Sequence, residues 1–245
     1  MWITARYAPV APISLKPAAA TSSGGKTLLA PTPYAVKMAL LDVAIRTLGL
    51  TEGEQLFPFL RDLSISLALP KDLLVIKGFS KIQRPLKDKS DEQKAQEAFE
   101  KGHWPMQPTI AYREYVYYRD PFTLAFSSEQ NKLPSVLPHL LTCINYFGKR
   151  GGFVQLVEAP HQVEALPANA FTDLTSDNPH QFHLNGTLQV LDDCGKSLTF
   201  QRANIYNGER ITTGKERIFH HVVLPYRLAR SSRGYSWYKR ISEEQ

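Results

Sequence analysis

Cysteine is nearly absent from this 245-residue chain, which holds only Cys143 and Cys194. They sit in an apolar helix-like pattern and beside a turn, with no paired spacing. That excludes a disulfide framework and makes a reducing, cytoplasmic setting the expectation. No group of Cys, His, Asp or Glu has metal-ligand spacing, so neither a metal nor another cofactor is expected. Long apolar runs are missing as well. None approaches membrane-spanning length, and Met1-Trp2-Ile3-Thr4-Ala5-Arg6-Tyr7 lacks the charged start and apolar centre of a secretory signal, so the chain reads as soluble with no membrane partner. Acidic residues are lacking in one region: between Arg217 and Arg240 there is no Asp or Glu, while Arg217, Arg227, Arg230, Arg233, Lys239 and Arg240 are present.

What is there is enough for a substantial core, as one large or two small domains. Hydrophobic residues make up 43% and charged residues 21%, ordinary values for a globular protein. There are 29 Lys and Arg against 23 Asp and Glu, a net charge of +6 with pI near 9.2. The excess fits an anionic partner and also serves solubility, so its distribution matters more than its sum.

The most informative stretch is 113–126, Arg-Glu-Tyr-Val-Tyr-Tyr-Arg-Asp-Pro-Phe-Thr-Leu-Ala-Phe. With the two-residue period of a strand, Arg113, Tyr115, Tyr117 and Arg119 share one face and Glu114, Val116 and Tyr118 the other. Asp120-Pro121 interrupts the run, and Phe122, Leu124 and Phe126 begin a second alternation. Two strands, or one bent strand, thus carry a basic and aromatic face. Arginine with tyrosine suits single-stranded nucleic acid, and it equally suits a half-exposed strand whose tyrosines pack across to neighbours.

Around this stretch the chain reads as follows. Residues 2–8 form a strand, and a Pro-, Ala- and Ser-rich loop follows. Thr32 as N-cap and Pro33 at the first position open a helix to Leu48, which Gly49 ends. Residues 62–69 alternate as a strand, and 73–76 is a further apolar run. Residues 79–110 change character: Lys81, Arg84, Lys87 and Lys89 precede a capping-box start at Ser90 and a polar helix to Lys101, which together read as a protruding insertion. A helix from Pro134 to Phe147 leads into Gly148-Lys149-Arg150-Gly151-Gly152 and a strand at 153–157. Without the insertion the order is β-α-β-β-α-β, so residues 1–158 are read as a ferredoxin-like α+β domain. Residues 159–245 form a β-rich region packed on it, with strands expected at 184–191, 198–206 and 217–224.

Ala20 to Thr27 matches a relaxed phosphate loop with Ala in place of the first Gly, but Pro31 and Pro33 prevent a helix from starting at Lys26. Nucleotide binding at a P-loop is therefore the weakest reading, while Gly24, Gly25 and Lys26 remain available to an RNA phosphate. Metal-free RNA cleavage would need a paired acid and base. His220 and His221 face opposite sides of one strand, and His103, His139, His161, His180 and His183 are scattered. From Arg227 to Arg240 basic and aromatic residues interleave most densely; Arg230, Arg233, Tyr235, Trp237 and Lys239 read either as an RNA or partner surface or as a final strand with solvated charges.

Three ordered pieces, Pro31 to Gly49, 113–126 and the Phe-Gly-Lys-Arg turn at 147–150, together resemble the CRISPR-associated RAMP superfamily. Within it they resemble the fifth Cascade subunit, which caps the 5′ handle of guide RNA. The resemblance implies a ferredoxin-like domain with a thumb, here 79–110, pressing between bound nucleotides and a backbone subunit. It places RNA contacts on Arg113, Tyr115, Tyr117, Lys149 and Arg150, with Lys81 and Arg84 on the thumb. It implies as partners the guide RNA, the backbone and large subunits of the effector complex and, indirectly, target DNA. Most members are non-catalytic, which is the expectation here; one branch cleaves repeat RNA without metal, which is the alternative.

Overall fold

The computed structural model describes residues 1–18, 24–85, 92–102, 106–129, 133–149, 151–177 and 185–241. It is a mixed α/β structure whose ladders are antiparallel apart from one short parallel pair. β1 (Trp2–Pro9) alternates as its sequence demands, with Ile3, Ala5 and Tyr7 buried. The chain then reaches α1 (Pro33–Leu48), whose first turn is capped by Thr32: its hydroxyl accepts the Ala35 N–H at 3.1 Å. Gly49, at φ 104° and ψ 166°, takes a positive-φ conformation open to glycine, which stops the helix without steric cost. A second helix, α2 (Leu50–Arg61), begins at once and buries Phe57 and Leu60. β3 (Ser64–Ala68) follows.

β4 (Asp72–Pro85) and β5 (Met106–Tyr118) pair along their whole length, from Leu73 opposite Tyr118 to Pro85 opposite Met106. Between them lies α3 (Glu92–Glu100), the polar helix expected from the sequence, with no buried residue. β6 (Phe122–Ser127) comes next, then α4 (Leu137–Thr142), β7 (Val154–Val163) and the short β8 (Thr172–Asp173). The last part holds β9 (Thr187–Cys194), the turn α5 (Phe200–Ala203), β10 (Arg217–Leu224), β11 (Tyr226–Ser231) and β12 (Tyr235–Arg240). One five-stranded sheet has the order β7-β1-β6-β3-β8; a second has β11-β12-β4-β5-β2, where β2 is Gly24–Gly25; β9 and β10 form a separate ribbon.

Two sequence expectations are corrected. The helix expected over 134–147 is only six residues long. Thr142 Oγ1 donates to the His139 carbonyl at 2.7 Å, a local bond that competes with continuation of the helix. The strand expected at 198–206 is instead α5 followed by a single 3-10 turn, Ile205–Asn207. Thr199 and Asn204 cap the N–H groups of Arg202 and Tyr206, so short polar side chains override the apolar alternation.

Asp120-Pro121 is the corner between the two large sheets: β5 belongs to the second and β6 to the first. Tyr118 before it and Phe122 after it are buried, with rings 5.5 Å apart, and the Tyr118 hydroxyl donates to the Leu29 carbonyl at 2.7 Å. Tyr7 and Phe147 complete this aromatic cluster. The late elements join the same core through Leu191, Leu198, Phe200, Leu224 and Tyr226.

The β9–β10 ribbon is fastened to α1 by charge. Lys37 Nζ lies 2.7 Å from Asp193 Oδ1, both side chains almost wholly buried. His220 reaches toward the same carboxylate, 3.5 Å from its Oδ2, and its other ring nitrogen is 3.4 Å from Asp177. Asp193, and then Asp177, hold the His220 pKa above its ordinary value against the opposing effect of burial. Removing one partner of a buried pair strands the other, so Lys37→Met is expected to cost about 3–5 kcal/mol in urea unfolding. The protonated His220 contributes stability fully below its unfolded pKa of about 6.5 and loses it as pH rises through its raised folded value. Relative to His220→Gln, the wild-type urea midpoint should therefore fall across that window.

Candidate nucleic-acid interface

Between β1 and α1 the described residues carry only the short strand β2, yet they are held closely. Ile13 and Val116 exchange backbone hydrogen bonds, Leu28 N–H bonds the Leu15 carbonyl at 2.7 Å, and the Thr27 hydroxyl accepts the Leu15 N–H. Thr27 N–H bonds the Glu114 carboxylate at 3.1 Å. Gly24 and Gly25 pair in parallel with Tyr112 and Arg113 at the edge of the second sheet. A Cβ at Gly25 would stand 3.8 Å from the Arg113 guanidinium, an ordinary contact distance that places the two side by side.

The basic glycine turn comes to the same place. Phe147 N–H bonds the Gly152 carbonyl, Gly152 N–H bonds the Lys149 carbonyl, and Tyr146 bridges Phe153. A Cβ at Gly152 would lie 2.8 Å from the Phe147 carbonyl, so the turn closes only around glycine. Within it Lys149 has its pKa lowered, first by desolvation and then by the charges of Arg113 and Lys16. Three cations from three separate parts of the chain therefore converge. Lys16 and Lys149 also line a cavity of about 250 Å³ at the start of α1, together with Tyr34, Tyr146 and Arg217. Arg217 lies 4.3 Å over the Tyr34 ring and is held by Asp192 at 2.5 Å. Such a site suits a phosphate: cations whose charges repel in its absence, beside tyrosine rings that can face a base.

The second sheet supplies an adjoining face. Val116 and Tyr118 are buried, whereas Tyr115 and Tyr117 are 36% and 44% exposed, so the solvent side is the one that carries Arg113, Tyr115 and Tyr117. β12 pairs with β4 on the other side of the hairpin, which places Tyr235 and Trp237 on that same face. The Trp237 indole N–H donates to Asp72 at 3.0 Å, and Lys239 Nζ sits 4.3 Å over its ring. Arg230 pairs in register with Trp237, and Arg233 is exposed in the turn between β11 and β12.

Other predicted residues stand apart. Lys81 falls on the opposite face of the hairpin, next in alternation after the exposed Phe79 and its edge-on partner Tyr112. Lys26 is exposed. Arg150 and the side chain of Arg84 lie outside the described residues. Residues 24–28 are extended and α1 begins only at Pro33, so the Lys26-Thr27 pair does not start a helix as a phosphate loop requires. His220 is buried, and His161 contacts Thr4 at 3.1 Å. Nothing local in the sequence singles out Lys16, Tyr34 or Tyr146, and Arg217 stands out there only as part of a basic region. The alternation Ile13, Leu15 was the one available hint that the loop around Lys16 is ordered.

No family model matches the chain. It is similar to the CRISPR-associated protein Cas5 of Archaeoglobus fulgidus, at 26% identity over 215 residues, covering 84% of this chain and 83% of that protein. The resemblance carried by three sequence motifs thus extends over most of the length. Among solved structures, a CRISPR protein from Archaeoglobus fulgidus aligns over 99% of this chain and 92% of its own, at 11% identity and a TM-score of 0.48. A chain of a CRISPR RNA-guided surveillance complex aligns over 91% of this chain and 87% of its own, at 13% identity and a TM-score of 0.49.

The convergence is testable without any ligand. In NMR titration the Lys149 ammonium should deprotonate below the ordinary lysine pKa, and Arg113→Gln should move that titration upward. No movement would mean that the two cations are not neighbours.

Proposed function

We propose that this chain is a non-catalytic RNA-binding subunit of a Cascade-type CRISPR effector complex, and that it caps the 5′ handle of the guide RNA. The observation that carries this reading is the convergence of Arg113, Lys149 and Lys16 beside Gly25 and the cavity at the start of α1. Phosphates would take the place of the missing counter-charges, and the backbone of the glycine segments could approach them closely. The similarity to a CRISPR-associated Cas5 protein over 84% of the chain supports the same assignment.

The strand order β7-β1-β6-β3, with α1 and α4 as crossovers, supports reading the first sheet as a ferredoxin-like domain. On that reading the β4–β5 hairpin and α3 form the thumb, directed toward a backbone subunit. Its exposed Phe79, Phe99 and Tyr112 suit a protein contact. The large subunit and, through the guide, target DNA complete the set of partners, in the cytoplasm. The alternative, repeat-RNA cleavage, would draw its acid and base from Lys16, Lys149, Tyr34 and Tyr146, which line the cavity; burial raises the Tyr34 pKa and so makes it a poor base.

Reconstituting the effector complex with and without this chain tests the assignment: guide-RNA retention should fall in its absence, and unchanged retention would refute it. In direct binding, Arg113→Ala with Lys149→Ala should make the plot of log affinity against log salt shallower by about 1.4, at about 0.7 per phosphate contact on a single strand. Specific cleavage of repeat RNA by the purified chain in EDTA would replace the non-catalytic reading.

A further inference from the structure

The outer face of the second sheet is organised beyond what a basic patch requires. Cross-strand partners lie on one face of a sheet, so the register of β5, β4 and β12 produces two rungs. They are Tyr117–Leu74–Trp237 and Tyr115–Ile76–Tyr235. Each has an aliphatic centre between two aromatic rings, drawn from segments far apart in sequence. Along β5 the rungs are two residues apart, about 6.8 Å at a strand rise of about 3.4 Å per residue. That step is roughly twice the 3.4 Å rise of stacked bases and suits an unstacked, extended nucleotide strand.

Leu74, Tyr235 and Trp237 are half-buried, with Lys239 over the Trp237 ring, and the β5 side of each rung is the open one. Tyr115, Tyr117 and Ile76 are each at least one-third exposed. Trp237 is locked by its bond to Asp72, so the one carboxylate named on this face is engaged. A shallow cavity of about 280 Å³ opens over Leu74, Tyr117, Tyr235 and Trp237, with Arg119 at its rim. Cations continue the line of β5 past both rungs, with Arg113 at one end and Arg119 at the other. Arg113 also belongs to the cation cluster around Lys149. Two rungs at nucleotide spacing between cations fit a polyanion carrying flat rings.

We infer that this face stacks two consecutive unpaired bases of the RNA held at the Arg113–Lys149 cluster, one base per rung. The inference rests on the RNA-binding function proposed above. Ring faces accept every base, so the platform is tolerant of sequence, and any reading of base edges belongs to other residues.

The test uses the full chain and an unstructured, fluorescently labelled oligoribonucleotide, in versions where a pair of adjacent abasic sites is walked along the strand. At one position of the pair, affinity for the unaltered protein should fall at least about thirty-fold, the low end of two stacking contacts at about 1–3 kcal/mol each. Tyr115→Ala with Tyr117→Ala should give a similar loss with an unchanged salt slope and no further loss on that abasic strand. Tyr115→Phe with Tyr117→Phe should bind normally. Indifference of the unaltered protein to every abasic pair overturns the inference, and that arm does not depend on how any variant folds. An alanine pair that binds RNA normally but fails to join the reconstituted complex would overturn it in favour of a protein-docking face. If the unaltered chain binds no RNA at any salt concentration, the function proposed above falls as well.

Discussion

The corner at Asp120-Pro121 is the constraint on which the arrangement of this protein depends. Proline ends the ladder of one sheet, and the chain enters the other within a few residues. Because side chains alternate along a strand, burying Tyr118 against Phe122 leaves no freedom upstream. Val116 must point into the core, and Arg113, Tyr115 and Tyr117 must point out. A one-residue slip would bury the arginine and expose the valine. The Tyr118 hydroxyl adds a second restraint by bonding the Leu29 carbonyl, which ties the register of β5 to the segment that leads into α1.

The other features of the interface follow from that register. Glu114, on the inner side, accepts the Thr27 N–H and so draws Gly25 alongside Arg113. The glycine turn after α4 brings Lys149 to the same point from the first sheet, and its pKa is lowered first by desolvation and then by the neighbouring charges of Arg113 and Lys16. From the C-terminal side, the buried Lys37–Asp193 pair holds the ribbon against α1, and Arg217 on that ribbon closes the cavity over Tyr34. Three distant parts of the chain therefore share the task of building one cationic site, and the fold's stability and its proposed chemistry rest on the same contacts.

Much of this was legible in the sequence wherever a pattern is local. Thr32, Pro33 and Gly49 mark the bounds of α1 because capping and positive φ are properties of single residues. The alternation of 113–118 gave the two faces, and Asp120-Pro121 gave the break. What was not legible is what depends on partners far away in sequence. Nothing in Tyr235-Ser236-Trp237 says that it pairs with Leu74 to Ile76, and that pairing turns a basic tail into one half of an aromatic face. The loop bearing Lys16 has no periodicity, and its order comes from bonds to Thr27 and Val116. Capping side chains that shorten α4 and fold 199–207 into turns outweighed the apolar spacing on which longer elements were expected.

The most direct measurement of the account is photo-crosslinking of the assembled complex, with 4-thiouridine placed along the guide RNA and the crosslinked peptides identified by mass spectrometry. The account predicts crosslinks from the 5′ handle to the strand bearing Tyr115 and Tyr117, to the segment bearing Tyr235 and Trp237, and to the turn bearing Lys149. Handle crosslinks confined to other surfaces of the chain, or to other subunits alone, would contradict it.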